Sequence, residues 1–257
     1  MIGRAVSFAA GLGIGALGAR YLAGRRTVNR HVAEYAAHWG DRPSDYPENV
    51  LHYVALGDSA AQGVGASHVF AGYVGLVADR LTAATGRPVA LTNLSVSGAT
   101  SGDVVEHQLP VLAELPFTPD ILTLDIGGND LVYFKSPAYF EESLTHVLAA
   151  LPAGSFVGDV PWGVVPGLSS RSDRLARLAR GLIATFDHRL VGLHELTRDL
   201  GAVQFLRNSA DDWFHPNDQG YLVWADAYWG AIVASGRLQS LRLRSAEPDS
   251  SAAVRSV

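Results

Sequence analysis

Short apolar runs alternate with longer stretches of helical periodicity through the middle of the chain. Residues 52–56, 89–94, 121–126, 155–160 and 203–206 are strand-length, β-branched and apolar, with no clean alternation. Strands buried on both faces read this way. Residues 72–85, 102–114, 140–150, 173–198 and 218–234 space their apolar positions as helices do. Helices lying between successive strands imply right-handed crossovers and a parallel sheet. The pattern therefore predicts a three-layer α/β/α domain around a mainly parallel five-stranded sheet. In such sheets the ligand site lies beyond the carboxyl ends of the strands.

The ends of the chain break this pattern. Residues 5–19 form an uncharged run, AVSFAAGLGIGALGA, preceded by Arg4 and followed by Arg20, Arg25, Arg26 and Arg30. A membrane span needs about 20 apolar residues, so the run reaches that length only if Arg20 snorkels to the interface. A cleaved secretory signal also begins with a basic residue and a short apolar stretch. The excess of arginine after the run favours a cytoplasmic body. The expectation is a membrane-associated protein with a cytoplasmic catalytic domain, and secretion through a cleaved signal is the alternative. Gly13, Gly15 and Gly18 spell a dinucleotide fingerprint, but no strand precedes them as that motif requires. The division expected is a hydrophobic segment over 1–26, a polar linker over 27–47, the domain over 48–236 and a disordered tail over 237–257.

Composition removes several classes of chemistry. The 257 residues carry a net charge of -5, with none of the basic excess of a nucleic-acid binder. There is no cysteine, which excludes disulfides, thiolate metal sites and a cysteine nucleophile. The nine histidines show no metal-ligand spacing. Neither a metal nor an organic cofactor is expected.

The chemistry-bearing residues fall where the strand ends are expected. Gly57-Asp58-Ser59 follows the first strand, and a serine on a tight turn there is a nucleophile if a base is near. The second strand runs into Ser95-Val96-Ser97-Gly98, where glycine lets a backbone N–H approach a ligand. The third ends in Gly127-Gly128-Asn129-Asp130, placing a neutral amide donor, suited to a developing oxyanion, beyond the sheet. Asp212 and His215 come after the last expected strand. Their spacing lets the carboxylate hold an imidazole nitrogen and orient the ring as a base. Asp211 is a rival orienter, and Pro216 stops any helix running through His215. Each block alone also reads as an ordinary turn or cap.

Taken in order, these four blocks resemble those of the SGNH (GDSL-type) hydrolases over most of residues 53–224. The Gly-Gly-Asn-Asp stretch matches that family's asparagine block letter for letter, and Asp212-x-x-His215 its last block. The resemblance implies a flavodoxin-like α/β fold and serine-dependent cleavage of acyl esters. It implies Ser59 as nucleophile, His215 as base and Asp212 as its orienter. The Ser59 and Gly98 N–H groups and the Asn129 amide would form the oxyanion hole. The substrate expected is a small-molecule acyl ester of lipid-like character, with possible membrane association through residues 1–26. Carbohydrate O-deacetylation and acyl-thioester cleavage use the same machinery. A membrane-tethered binding module without catalysis is the rival of another class.

Of three further features, two admit two readings. The apolar stretch 161–168 follows the fourth strand and either lines an acyl pocket or packs on the core. Trp224, Tyr228 and Trp229 recur at core-helix spacing. Arg171, Arg174, Arg177 and Arg180 form either a solvated face or a basic stripe.

Overall fold

The computed structural model describes residues 2–41, 47, 49–165 and 167–246, with side chains described from 21 onward and up to 242. Five strands form one sheet: β1 Leu51–Gly57, β2 Val89–Asn93, β3 Ile121–Asp125, β4 Phe156–Gly158 and β5 Arg189–Val191. Their order is β2-β1-β3-β4-β5, and every pairing is parallel. The α/β/α architecture expected from the apolar pattern is the one observed.

Alternate residues of β1 feed two separate cores. Val54 and Leu56 pack into a cluster with Phe140, Leu144, Leu175 and Ile183. Those four belong to helices α7 (Pro137–Ala150) and α8 (Leu168–Thr185). Tyr53 and Ala55 pack on the other face, against α3 (Tyr73–Thr85) and α10 (Asp218–Ala234). A strand buried on both faces has no polar side to show, so its sequence is a continuous apolar run. Tyr53 and Tyr228 are tolerated at full burial because their hydroxyls bond to Thr123 Oγ1 and the Leu124 carbonyl, at 3.0 and 2.8 Å.

The helix after β1 and the helix after β3 lie on opposite faces of the sheet. The gap between the carboxyl ends of β1 and β3 is thus the topological switch point, where ligands bind in open parallel sheets. Short helices α2 (Ser59–Gln62) and α6 (Gly128–Val132) begin there. Between β2 and β3 a helix runs through α4 (Ser101–Asp103), a widened turn over Val104–Gln108 and α5 (Leu109–Ala113).

The fifth strand is a correction. Residues 203–206, expected as a strand, lie in helix α9 (Leu193–Arg207), beyond a break at Gly201 with φ +68. The real β5 lies inside the stretch 173–198 expected as one helix, which divides into α8, β5 and the start of α9. As an edge strand of three residues, with Arg189 and Leu190 exposed, β5 lacks the buried apolar run that marks its neighbours.

The terminal expectations also change. Helix α1 spans Ile2–Gly40 without a break and runs through the polar, helix-compatible stretch expected as a linker. Val28, Tyr35 and Trp39 are buried with Val64 on the domain. Arg237–Ala246 forms α11 in the stretch expected to be disordered, and Leu241 is fully buried. Residues 247–257 lie outside the described residues. Among the described residues no helix is long and apolar enough to cross a membrane.

Candidate active site

Ser59 opens α2 immediately after β1. The turn is tight: Gly57 has φ +140, and a Cβ there would overlap the Asp125 carbonyl oxygen on β3. Gln108, buried beneath, bonds the same glycine from both sides. Its Nε2 donates to the Gly57 carbonyl at 2.7 Å, and its Oε1 accepts from the Gly57 N–H at 2.9 Å. Asp58 caps α2, accepting from the Ala60 N–H at 2.9 Å.

His215 sits in a loop closed on itself. Ser209 bridges Pro216, the Ala210 N–H donates to the His215 carbonyl at 2.7 Å, and the Asn217 N–H donates to the Asn208 carbonyl at 2.8 Å. The Asn217 side chain caps α10 and donates back to the Arg207 and Ser209 carbonyls. Gly65, at φ +100, lets the chain after α2 pass under this loop, since a Cβ would overlap the Pro216 carbonyl.

The loop brings three side chains into line. His215 Nε2 lies 3.0 Å from Ser59 Oγ, and His215 Nδ1 lies 2.6 Å from Asp212 Oδ2. The other Asp212 oxygen accepts from the Phe214 and His215 N–H groups, both at 3.1 Å. Burial alone would raise the Asp212 carboxyl, but the His215 ring and these donors outweigh it and hold it below its ordinary range. A carboxylate held ionised against Nδ1 keeps that nitrogen protonated, leaving Nε2 free to accept the serine proton. Of the two neighbouring aspartates, it is Asp212 that meets the ring, while Asp211 is exposed and lies against Gly24 of α1.

Gly98 and Asn129 meet on the other side of Ser59. Gly98 is the third residue of a turn closed by the Ala99 N–H on the Val96 carbonyl, at 3.0 Å. Its φ of +85 is the left-handed region that glycine fills without steric cost. Among the described residues neither the Ser59 nor the Gly98 N–H has an acceptor. The Asn129 amide donates to the Ala99 carbonyl at 2.9 Å and to Asp58 Oδ2 at 3.2 Å. Burial pushes the Asp58 carboxyl up to about 6, against the pull of the Ala60 N–H and the His215 ring. Asp125 lies deeper, holding the Trp224 indole N–H at 3.1 Å, and burial beside Asp58 keeps its carboxyl well above the ordinary range.

A cavity of ≈ 320 Å³ opens on Ser59 and His215. Leu131, Trp162, Val164, Leu168, Leu200 and Phe205 supply much of its apolar wall. The stretch after β4 is therefore a pocket wall. It is fixed by the Trp162 N–H on Thr197 Oγ1 at 2.8 Å and the Gly163 N–H on Ser172 Oγ at 2.9 Å. Tyr133, Phe134, Val165, Trp213 and Phe214 expose large apolar side chains, and the last three border this cavity.

The four sequence blocks thus converge, with one change of setting: the Asp212–His215 loop follows helix α9 and not a strand. The roles of several supporting residues escape sequence reading. Arg171 of α8 donates to the Asp130, Leu131 and Lys135 carbonyls at the end of α6, the helix that carries Asn129. Arg180 pairs with Asp159 at 2.6 Å and Glu195 at 2.7 Å. Only Arg174 and Arg177 of that row are a solvated face. Asp130 accepts the Ser101 N–H and hydroxyl, at 2.9 and 2.7 Å, joining α6 to α4.

An open parallel α/β sheet with a serine, a histidine and an asparagine at its switch point defines the SGNH class of hydrolases. The chain belongs to the GDSL-like lipase/acylhydrolase family, whose model matches residues 55–223. Solved structures agree in fold. TesA is 24% identical with a TM-score of 0.59, over 70% of this chain and 97% of its own. LAE5, described as an alpha/beta hydrolase enzyme from the metagenome of Lake Arreo, is 25% identical with a TM-score of 0.57, over 73% and 96%. The acetylxylan esterase Axe2 from Geobacillus stearothermophilus is 18% identical with a TM-score of 0.57, over 72% and 96%. No curated protein is significantly similar to the chain in sequence.

Proposed function

We propose that this hydrolase is a serine esterase that cleaves acyl esters and seats an apolar acyl chain in the cavity beside Ser59. The observation that carries the reading is the hydrogen-bonded line Ser59–His215–Asp212 opening onto an apolar cavity. His215 Nε2 takes the hydroxyl proton as Ser59 Oγ attacks the ester carbonyl. The oxyanion is met by the Ser59 and Gly98 N–H groups and by the Asn129 N–H that turns to it from Asp58 Oδ2, while the Ala99 carbonyl holds the other N–H and fixes the amide plane. Donors aimed in advance at developing charge cost no reorganisation when the reaction occurs. His215 then hands its proton to the departing alcohol. Water, deprotonated by the same ring, attacks the acyl-enzyme and releases the acid.

The character of the wall supports an acyl chain over a sugar. A cavity of ≈ 320 Å³ lies in the range of small-molecule sites, which are lined mostly by apolar side chains. A sugar ring could stack on Trp162 or Trp213, but the apolar wall offers few groups to pair its hydroxyls.

Hydrolysis of p-nitrophenyl esters from acetyl to palmitoyl, by wild type and Ser59→Ala, tests this. The expected result is turnover that disappears in Ser59→Ala and is higher for acyl chains longer than acetyl. Equal turnover in Ser59→Ala would refute the mechanism. A Ser59-dependent preference for acetyl would move the reading to carbohydrate deacetylation.

A further inference from the structure

Gln62, the last residue of α2, is only 3% exposed, and both ends of its amide are bonded. Nε2 donates to the Ser95 carbonyl at 2.8 Å, and Oε1 accepts from Ser97 Oγ at 2.5 Å. The Ser95 carbonyl only accepts, so this orientation of the amide is the one that pairs both ends; the flipped amide would oppose two oxygens. Both partners precede Gly98 in the chain.

We propose that Gln62 is a positioning residue of the oxyanion site. It ties the Ser97–Gly98 turn to the helix that begins with Ser59, so that the Ser59 and Gly98 N–H groups aim at one point. The inference rests on the esterase reading above. Gln62 is too buried to touch substrate, so it acts through the turn and is not a catalytic residue.

The surroundings say why such a tie is needed. Val96 and Gly98 are exposed, and the Gly98 N–H has no acceptor of its own among the described residues. The backbone anchors the turn at one end, through the Val96 N–H on the Gly57 carbonyl at 3.1 Å. Asn93 braces the residues before it, with Nδ2 on the Ala61 carbonyl at 2.8 Å and Oδ1 accepting the Ser95 N–H at 3.1 Å. Gln62 alone among these side chains reaches Ser97, one residue from the donor. It also links the site to α1, because the Trp39 indole N–H donates to the Gln62 carbonyl at 3.1 Å.

The test compares wild type, Gln62→Leu and Ser97→Ala. Its readouts are kcat and KM on the best p-nitrophenyl ester, affinity for an alkyl boronic acid that forms a tetrahedral adduct, and affinity for the carboxylate product. Removing an oxyanion donor outright costs about 10²–10³ in rate, so misaiming one should cost about 10- to 100-fold. The expected pattern in Gln62→Leu is that loss in kcat with KM little changed, a boronate affinity weakened in proportion and product affinity unchanged. Ser97→Ala, which removes half the tie and spares the core, should show the same pattern more weakly. An active wild type with unchanged kcat in Ser97→Ala and in folded Gln62→Leu would overturn this inference alone. So would equal weakening of boronate and product. A wild type inactive on every ester would overturn the esterase reading and this inference with it.

Discussion

Asp58 stands one residue before the proposed nucleophile and bonds Asn129, which lies 71 positions away in sequence. Each residue is legible as part of a motif, but their contact exists only once β1 and β3 pair. Asp212 is legible for the opposite reason: its partner is three residues on, and a local loop suffices to join them. Gln62 carries no signal in sequence, because a glutamine on a short helix is usually a solvated one. The Asp58 environment has a consequence for stability. Its carboxyl titrates at about 6 in the folded protein, against about 3.9 in an unfolded chain. The folded state therefore keeps this proton to higher pH. The resulting stabilisation is complete below the unfolded value and is lost as pH rises through about 6. Thermal melts between pH 4 and 7 should show wild type losing stability relative to Asp58→Asn across that window. Parallel curves for the two proteins would contradict the assignment.

Among elements, the strands best read from sequence are those buried on both faces. β1 and β3 coincide closely with expected runs because their burial leaves no choice of residue. β2 is an edge strand and half-buried over its first three residues, yet Val89, Ala90 and Leu91 keep it apolar enough to read. β5, the other edge, fails because it is three residues long and its Arg189 and Leu190 face solvent. The apolar residues 203–206 misled for a related reason: Val203 and Leu206 are exposed on a helix and Phe205 borders the cavity, so they are apolar without being core. Helix α1 departs furthest from its sequence reading. Its polar-looking stretch hides buried aromatic positions at helical spacing: Tyr35 donates to the Ala66 carbonyl at 3.0 Å, and Trp39 reaches α2. Trp39→Phe keeps a ring against Phe70 but deletes the N–H on Gln62. Loss of one such bond should lower unfolding free energy by about 1 kcal/mol, read from urea denaturation. An unchanged midpoint and slope would show that the bond does not brace α2.

At the scale of the whole molecule, the strand order makes the site. Placing β1 between β2 and β3 sends successive helices to opposite faces and leaves a gap in which Ser59 and Asn129 meet. The cavity completes it from elements distant in sequence, the stretch after β4 and the second half of α9. For that reason the cavity is legible in sequence only as an apolar loop. With no cysteine in the chain a thiol nucleophile is excluded, and Ser59 Oγ is the hydroxyl that meets the His215 ring. In the proposed mechanism the His215–Asp212 pair activates this one serine. Reaction of the intact protein with an alkyl fluorophosphonate, followed by peptide mass spectrometry, tests that activation. One adduct per chain is expected, located on Ser59, absent in Ser59→Ala and strongly slowed in His215→Ala. A folded wild type that takes no label, or a Ser59→Ala protein labelled at the wild-type rate, would contradict it.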